Sequence, residues 1–153
     1  MAYEIHTATI FDLGGLQKLE RACFQLDAWP LFDLVAVLTF PDVVRLKAVS
    51  EGHLVGFIAG DPRPVEKSGW IATLGVLPDY RNQGIGKGLL ETCEKQLKFD
   101  RIRLCVRPTN LAALKLYEMS GYQTIDKWKD YYNDKGDALV MEKKMVPEKL
   151  LKK

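Results

Sequence analysis

The 153-residue chain is expected to fold as a single α/β domain, with a mixed sheet of about seven strands flanked by about four helices. Three observations predict this class. Strand-like segments recur from one end of the chain to the other, separated by segments whose apolar residues fall three and four positions apart. Between Trp70 and Arg107 the chain reads strand, Gly-rich turn, helix, strand. Such a βαβ unit must pair its strands in parallel through a right-handed crossover. No repeat, low-complexity run or internal linker divides the sequence.

Taken in order, Tyr3 to Ala8 alternates and predicts the first strand. Asp12 stands where a cap would open a helix carrying Leu13, Leu16, Leu19, Cys23 and Phe24 on one stripe. Trp29-Pro30 breaks that pattern, and a second, short helix is expected from Leu31 to Phe40. Val43 to Val49 and Leu54 to Ala59 predict a hairpin turning at Glu51-Gly52-His53. Asp61-Pro62-Arg63-Pro64 reads as a loop, and Trp70 to Leu77 as the fourth strand. Ile85, Leu89, Leu90, Cys93 and Leu97 then share one helical face. Arg101 to Arg107 alternates, with Ile102, Leu104 and Val106 on one side and Arg101, Arg103, Cys105 and Arg107 on the other. Pro108-Thr109-Asn110 opens a last helix with Leu111, Leu114, Leu116, Tyr117 and Met119 as its apolar surface. Gly121 ends it as a left-handed residue. Tyr122 to Trp128 and Ala138 to Met145 predict two final strands.

Composition narrows the function classes. The chain is 47% apolar and 27% charged, as soluble globular domains are. A net charge of +2 with scattered basic residues gives no basis for nucleic-acid binding. The three cysteines, Cys23, Cys93 and Cys105, form no C-x-x-C pair, which argues against a disulfide framework or a zinc site and favours a reducing compartment. Met1 to Thr9 is too polar for a signal peptide, and no stretch approaches the ~20 apolar residues of a membrane span. The expectation is a cytoplasmic monomer or homodimer, without metal, membrane or nucleic-acid partner. Its domain would span 1–146, followed by a charged tail, 147–153.

The residues richest in chemistry are Arg81-Asn82-Gln83-Gly84-Ile85-Gly86-Lys87, between a strand and a helix. A turn of this kind points backbone N–H groups outward with a helix dipole behind them, which suits a phosphate-bearing ligand. A dinucleotide fingerprint would need Gly or Ala where Leu89 stands, and a Walker loop would need Ser or Thr after its Gly-Lys. What remains is Arg81-x-x-Gly84-x-Gly86.

That loop resembles the acyl-CoA pyrophosphate loop of the GCN5-related N-acetyltransferases (GNAT), and further segments extend the likeness. Thr73-Leu74-Gly75-Val76 followed by Tyr80-Arg81 is similar to that family's fourth strand. Asn110, then Tyr117-Glu118 and Gly121-Tyr122, resembles its N…(L/F)Y…GF segment. Lys129-Asp130-Tyr131-Tyr132 resembles the K-N-Y-Y segment of the RimI-like and N-terminal α-amine acetyltransferases. The likeness covers nearly the whole chain. It implies a sheet whose fourth and fifth strands splay to hold acetyl-CoA. Backbone groups near Leu74 and Val76 would bond the pantetheine arm. The N–H groups from Asn82 through Gln83, Gly84, Ile85 and Gly86 to Lys87 would cradle the pyrophosphate, with Arg81 as a charged partner. Asn110 would contact the arm or merely cap its helix. Tyr117 would protonate or hydrogen-bond the leaving thiolate, although its spacing alone also fits a core residue. On the acceptor side, Trp29 and Trp70 would line the pocket, and Tyr131 and Tyr132 would hold a peptide backbone.

The resemblance has a gap. Relatives carry a glutamate or histidine on the fifth strand, or a tyrosine on the fourth, as base. Here Cys105 and Trp70 hold those positions, and His6 and His53 lie elsewhere. Three readings follow. An α-amine, with a pKa of roughly 7.7–8.0, is about a tenth neutral at pH 7, against well under a thousandth of a lysine, so no strong base is required. Cys105 could act, its thiol lowered by Arg103 and Arg107. Or a carboxylate such as Glu20 or Asp27 could relay a proton. The acceptor expected is therefore a peptide or protein N-terminal α-amine. A small-molecule amine and a non-catalytic acyl-CoA-binding module stand as the alternatives.

Overall fold

A computed structural model describes residues 2–146; the charged tail expected at 147–153 lies outside the described residues. Seven strands form one sheet: β1 (Glu4–Thr7), β2 (Val44–Ser50), β3 (His53–Arg63), β4 (Ser68–Val76), β5 (Arg101–Val106), β6 (Gln123–Trp128) and β7 (Ala138–Lys144). Four α-helices join them: α1 (Leu13–Phe24), α2 (Leu31–Thr39), α3 (Ile85–Leu97) and α4 (Leu111–Met119). The strand order is β1-β2-β3-β4-β5-β7-β6. β4 and β5 pair in parallel, as the βαβ reading required, and the other neighbours pair antiparallel.

Alternation along the strands divides the core between the two faces of the sheet. Ile58, Ile71, Ile102, Leu104 and Val106 pack with Ile85, Leu89 and Leu90 of α3. Phe57 and Ala59 pack with Leu16 and Leu19 of α1 and Leu34 of α2 on the opposite face. Glu94 of α3 is buried in the first layer, where it accepts bonds from the Tyr122 hydroxyl at 2.6 Å and Lys143 Nζ at 2.9 Å. Lys143→Met should therefore strand a buried carboxylate. Urea unfolding is expected to show a loss of about 3 kcal/mol, the low end for a buried ion pair broken from one side, since the Tyr122 bond remains.

Four local expectations are corrected. Asp12 does not cap α1: its carboxylate closes a capping box with Thr9 around a 3-10 turn at Ile10–Asp12 and pairs with Lys47 at 2.8 Å. Asp61-Pro62-Arg63 is the end of β3 rather than a loop, because Pro62 sits late in the strand where its missing N–H is tolerated. Tyr122 precedes β6 instead of starting it. On α4 the stripe is narrower than expected, since Leu111 and Met119 are 74% and 78% exposed and Tyr117 is the buried anchor.

One irregularity shapes the functional region. Consecutive residues Ala59 and Gly60 of β3 pair with Thr73 and Ile71 of β4, so Ala72 is an extra residue, a bulge. The bulge switches the faces of β4. Before it, Trp70 pairs with Arg103 on the side of β5 that carries Cys105; after it, that side receives Thr73 and Gly75. A Cβ on Gly75 would meet Cys23 and Phe24 of α1, which confirms the new direction.

Candidate active site

β4 and β5 are bonded only through Gly69, Trp70 and Ile71 opposite Ile102, Arg103 and Leu104. β4 then continues to Val76 and β5 to Val106 without pairing each other. A parallel pair that opens midway leaves backbone donors and acceptors on facing edges, which an amide-bearing chain can satisfy. The opening belongs to a cleft of about 620 Å³. Leu74, Cys105, Asn110 and Tyr117 line it, as do Trp29, Trp70, Tyr131 and Tyr132. The structure thus gathers these residues from four separate stretches of sequence.

Val76 and the loop from Arg81 to Lys87 lie outside that lining, at the end of β4 and the start of α3. Gly84 is the N-cap of α3 at φ +83°, a conformation that favours glycine. No side chain caps the helix and its first turn carries no acid, so the N–H groups of Ile85, Gly86 and Lys87 stay open to an anion. A Cβ on Gly86 would come within 3.2 Å of Leu116. Gly86 thus also lets α3 sit close to α4. The Arg81 guanidinium donates to the Val76 carbonyl at 2.9 Å, fastening the loop to the end of β4. Cys23 Sγ reaches the same carbonyl at 3.4 Å. The carbonyl of Val76 is therefore engaged from within the protein.

Asn110 caps α4, accepting from the Ala113 N–H at 3.2 Å, and lines the cleft. Tyr117 is buried, which pushes its hydroxyl well above the usual phenol range. Burial also raises the Cys105 thiol, and the Tyr131 hydroxyl and Arg63 charge only partly offset this. Arg103 and Arg107, the cations expected to lower it, are bound to carboxylates, Arg103 to Glu142 at 2.8 Å and Arg107 to Asp27 at 2.6 and 2.8 Å. Neither histidine lines the cleft.

One wall of the cleft is aromatic. Trp70 stacks on Trp128 at 5.9 Å, the Arg63 guanidinium lies over the Trp70 ring at 4.5 Å, and Trp128 leads through Tyr131 to Tyr132. Trp128 was not singled out in the sequence, although the run Trp128-x-x-Tyr131-Tyr132 marks it. Arg107 joins three elements at this wall. It grips Asp27 after α1, holds Asp134 between β6 and β7 at 3.1 and 3.3 Å, and lies 4.0 Å over the Tyr132 ring. Burial pushes the Tyr132 hydroxyl up to about 12. Glu20 is the other residue whose setting the sequence did not reveal. Offered by the sequence as a candidate relay carboxylate, it is 1% exposed and reaches the cleft between Trp29 and Thr73. Its four-residue spacing from Leu16 and Phe24 places it on the buried stripe of α1 and is the signal for it.

A parallel pair opened for an amide-bearing arm, followed in the chain by an uncapped helix N-terminus for phosphate, defines an acyltransferase that takes its acyl group from a CoA thioester. Residues 15–122 match the Acetyltransferase (GNAT) family, and the chain belongs to it. It is an acetyl-CoA-dependent N-acetyltransferase. It is 37% identical over 150 residues to N-alpha-acetyltransferase 50 of Danio rerio, covering 93% of this chain and 88% of that protein. It is 28% identical over 155 residues to an N-alpha-acetyltransferase of Sulfurisphaera tokodaii, covering 91% of each. The crystal structure of the ribosomal-protein-S18-alanine N-acetyltransferase from Escherichia coli superposes with a TM-score of 0.83 at 23% identity, covering 96% of this chain and 97% of that one, and shares the fold. Among the described residues no group of three or more His, Cys, Asp or Glu side chains is placed to hold a metal, and no helix is long and apolar enough to cross a membrane.

Proposed function

We propose that the protein acetylates the α-amine of a peptide or protein N-terminus. The observation that carries this reading is the acceptor wall: a tyrosine pair, Tyr131-Tyr132, fixed beside the cleft by Arg107, with no ionised base on the facing strands. Cys105 is held as a thiol, and Trp70 offers only an indole. An acceptor that is already roughly one-tenth neutral at pH 7 demands least of such a site, and a lysine side chain demands far more. The similar proteins named N-alpha-acetyltransferase support the same acceptor.

In this reading the opened edges of β4 and β5 hold the pantetheine arm, the α3 N-terminus holds the pyrophosphate, and a backbone N–H of β4 near Val76 faces the oxyanion that forms on attack. Tyr131 and Tyr132 steady the acceptor backbone. Small polycationic amines fit less well, because Asp27 and Asp61 are already tied to Arg107 and Arg63.

Incubation of the protein and acetyl-CoA with free-N-terminus peptides and with a panel of small amines, read by mass spectrometry, tests the assignment. Peptides should gain one acetyl group at the N-terminal nitrogen. Acetylation confined to small amines, or to lysine side chains, overturns it.

A further inference from the structure

We propose that Thr73 and Glu20 form the proton relay that deprotonates the acceptor amine, replacing the base missing from β4 and β5; this rests on the acetyltransferase reading of the cleft. The Thr73 hydroxyl donates to Glu20 Oε1 at 3.3 Å, and both residues line the cleft. Thr73 is the first residue past the bulge at Ala72, so it stands where β4 and β5 begin to part and faces the acceptor side because of that bulge. The carboxylate is fixed from its other oxygen by the Trp29 N–H at 3.3 Å.

What singles Glu20 out is the missing cation. Glu94, the other buried carboxylate, has Lys143. Glu20 has only two neutral donors and no ion pair among the described residues. Of the ionisable groups around it, Asp27 is spent on Arg107 and Asp61 on Arg63. Cys23 on its own helix is kept a thiol by burial, Tyr117 opposite is a neutral phenol, and Asp33 stands exposed on α2. A buried carboxylate without a counter-ion is costly to keep, and the cation it lacks is the kind an incoming ammonium supplies. Burial raises its affinity for a proton in the same direction.

The step balances. An ammonium proton passes to Thr73 Oγ1 while the hydroxyl proton of Thr73 passes to Glu20 Oε1, and the freed lone pair forms the bond to the thioester carbon. On collapse the C–S bond breaks, and the second amine proton ends on the departing sulfur. The carboxyl proton of Glu20 returns to solvent, so one proton is released per acetyl transferred.

The test is kcat/KM for an acceptor peptide from pH 6 to 9 in wild type, Glu20→Gln, Thr73→Val and Thr73→Ser, with acetyl-CoA affinity and Tm measured on each. Without the relay only the roughly one-tenth of α-amine already neutral at pH 7 reacts, so Glu20→Gln and Thr73→Val should each lose about tenfold there. The deficit should shrink toward zero by pH 9, where the amine ionises unaided. Thr73→Ser keeps a hydroxyl and should restore activity to within about threefold. Stability should move the opposite way for Glu20→Gln. A carboxyl whose folded pKa is raised above its ordinary 4.5 stabilises the fold below that value, and the benefit is lost as pH rises through the folded pKa. At pH 7 the charge is a cost, and the Gln variant should melt no lower than wild type. Activity of Glu20→Gln or Thr73→Val within twofold of wild type at pH 7, or a deficit that stays constant to pH 9, overturns the relay. Wild type that binds acetyl-CoA but acetylates no amine overturns the acetyltransferase reading itself, and the relay falls with it.

Discussion

Replacing Tyr117 by phenylalanine should lower kcat about 30- to 150-fold on any acceptor the protein acetylates, with acetyl-CoA affinity within twofold of wild type. The reasoning starts from proton affinities. A thiolate leaving group has a conjugate acid near pKa ~8.5, and an ordinary phenol lies near ~10. Burial drives the Tyr117 hydroxyl higher still. Transfer of its proton to the thiolate is uphill, so of its two expected roles the hydrogen bond to the departing sulfur is the stronger. Such a bond to a developing charge in a water-poor site is worth about 2–3 kcal/mol, which sets the fold-change. The phenyl ring keeps its edge contact with Tyr122 at 5.8 Å, so the fold should hold. Because the phenol stays protonated throughout, the loss should be the same at pH 6 and pH 9. That flat profile separates Tyr117 from the Thr73–Glu20 pair. A kcat within threefold of wild type would remove Tyr117 from the reaction and leave it as a core residue.

The contrast between Tyr117 and Glu20 shows which parts of the molecule can be read from sequence. Tyr117 falls on an apolar helical stripe and is marked by the segment around it, so both its burial and its expected role were accessible. Gly84-x-Gly86 was equally legible, because a left-handed cap and an uncapped helix start are local features. The alternation of β5 was legible too, with Ile102, Leu104 and Val106 buried on one face and Cys105 on the other. The opening of the sheet was not legible. It depends on Ala72, an alanine that carries no bulge signal, and on where β4 stops pairing with β5, which packing across the whole sheet decides. Pro62 misled because proline marks loops more often than strand ends. Charge partners were hidden as well: Arg107 and Asp27 are 80 residues apart in sequence, and only the fold brings them together. The expected lowering of the Cys105 thiol failed because burial raises it, and the carboxylates that pair Arg103 and Arg107 offset the field of those cations.

Arg107→Met should reduce kcat/KM for a peptide acceptor about 30- to 100-fold, mostly through KM, and leave acetyl-CoA affinity unchanged. Arg107, directly after β5, ties the turn after α1 to the β6–β7 connection. Its fork matches Asp27 through two bonds and Asp134 through two more. The fit is close: a Cβ on Gly136 would run into the guanidinium, and the Tyr132 N–H is bonded to the Gly136 carbonyl at 3.0 Å. Methionine preserves the stem and removes the fork, freeing the Tyr131-Tyr132 segment and leaving Asp27 and Asp134 unpaired at the acceptor wall. Displacement of positioning groups by ~1 Å can cost about 10²-fold in rate. Lysine should rescue poorly, since a single ammonium cannot span two carboxylates and cover a tyrosine ring as a guanidinium does. High salt should push wild type partway toward the variant, because the groups are partly exposed and so partly screened. Steady-state kinetics with both substrates varied makes the distinction. An unchanged acceptor KM alongside a lowered Tm would show that Arg107 only braces the fold. A raised acceptor KM with acetyl-CoA binding intact would show that it sets the geometry in which the amine is presented.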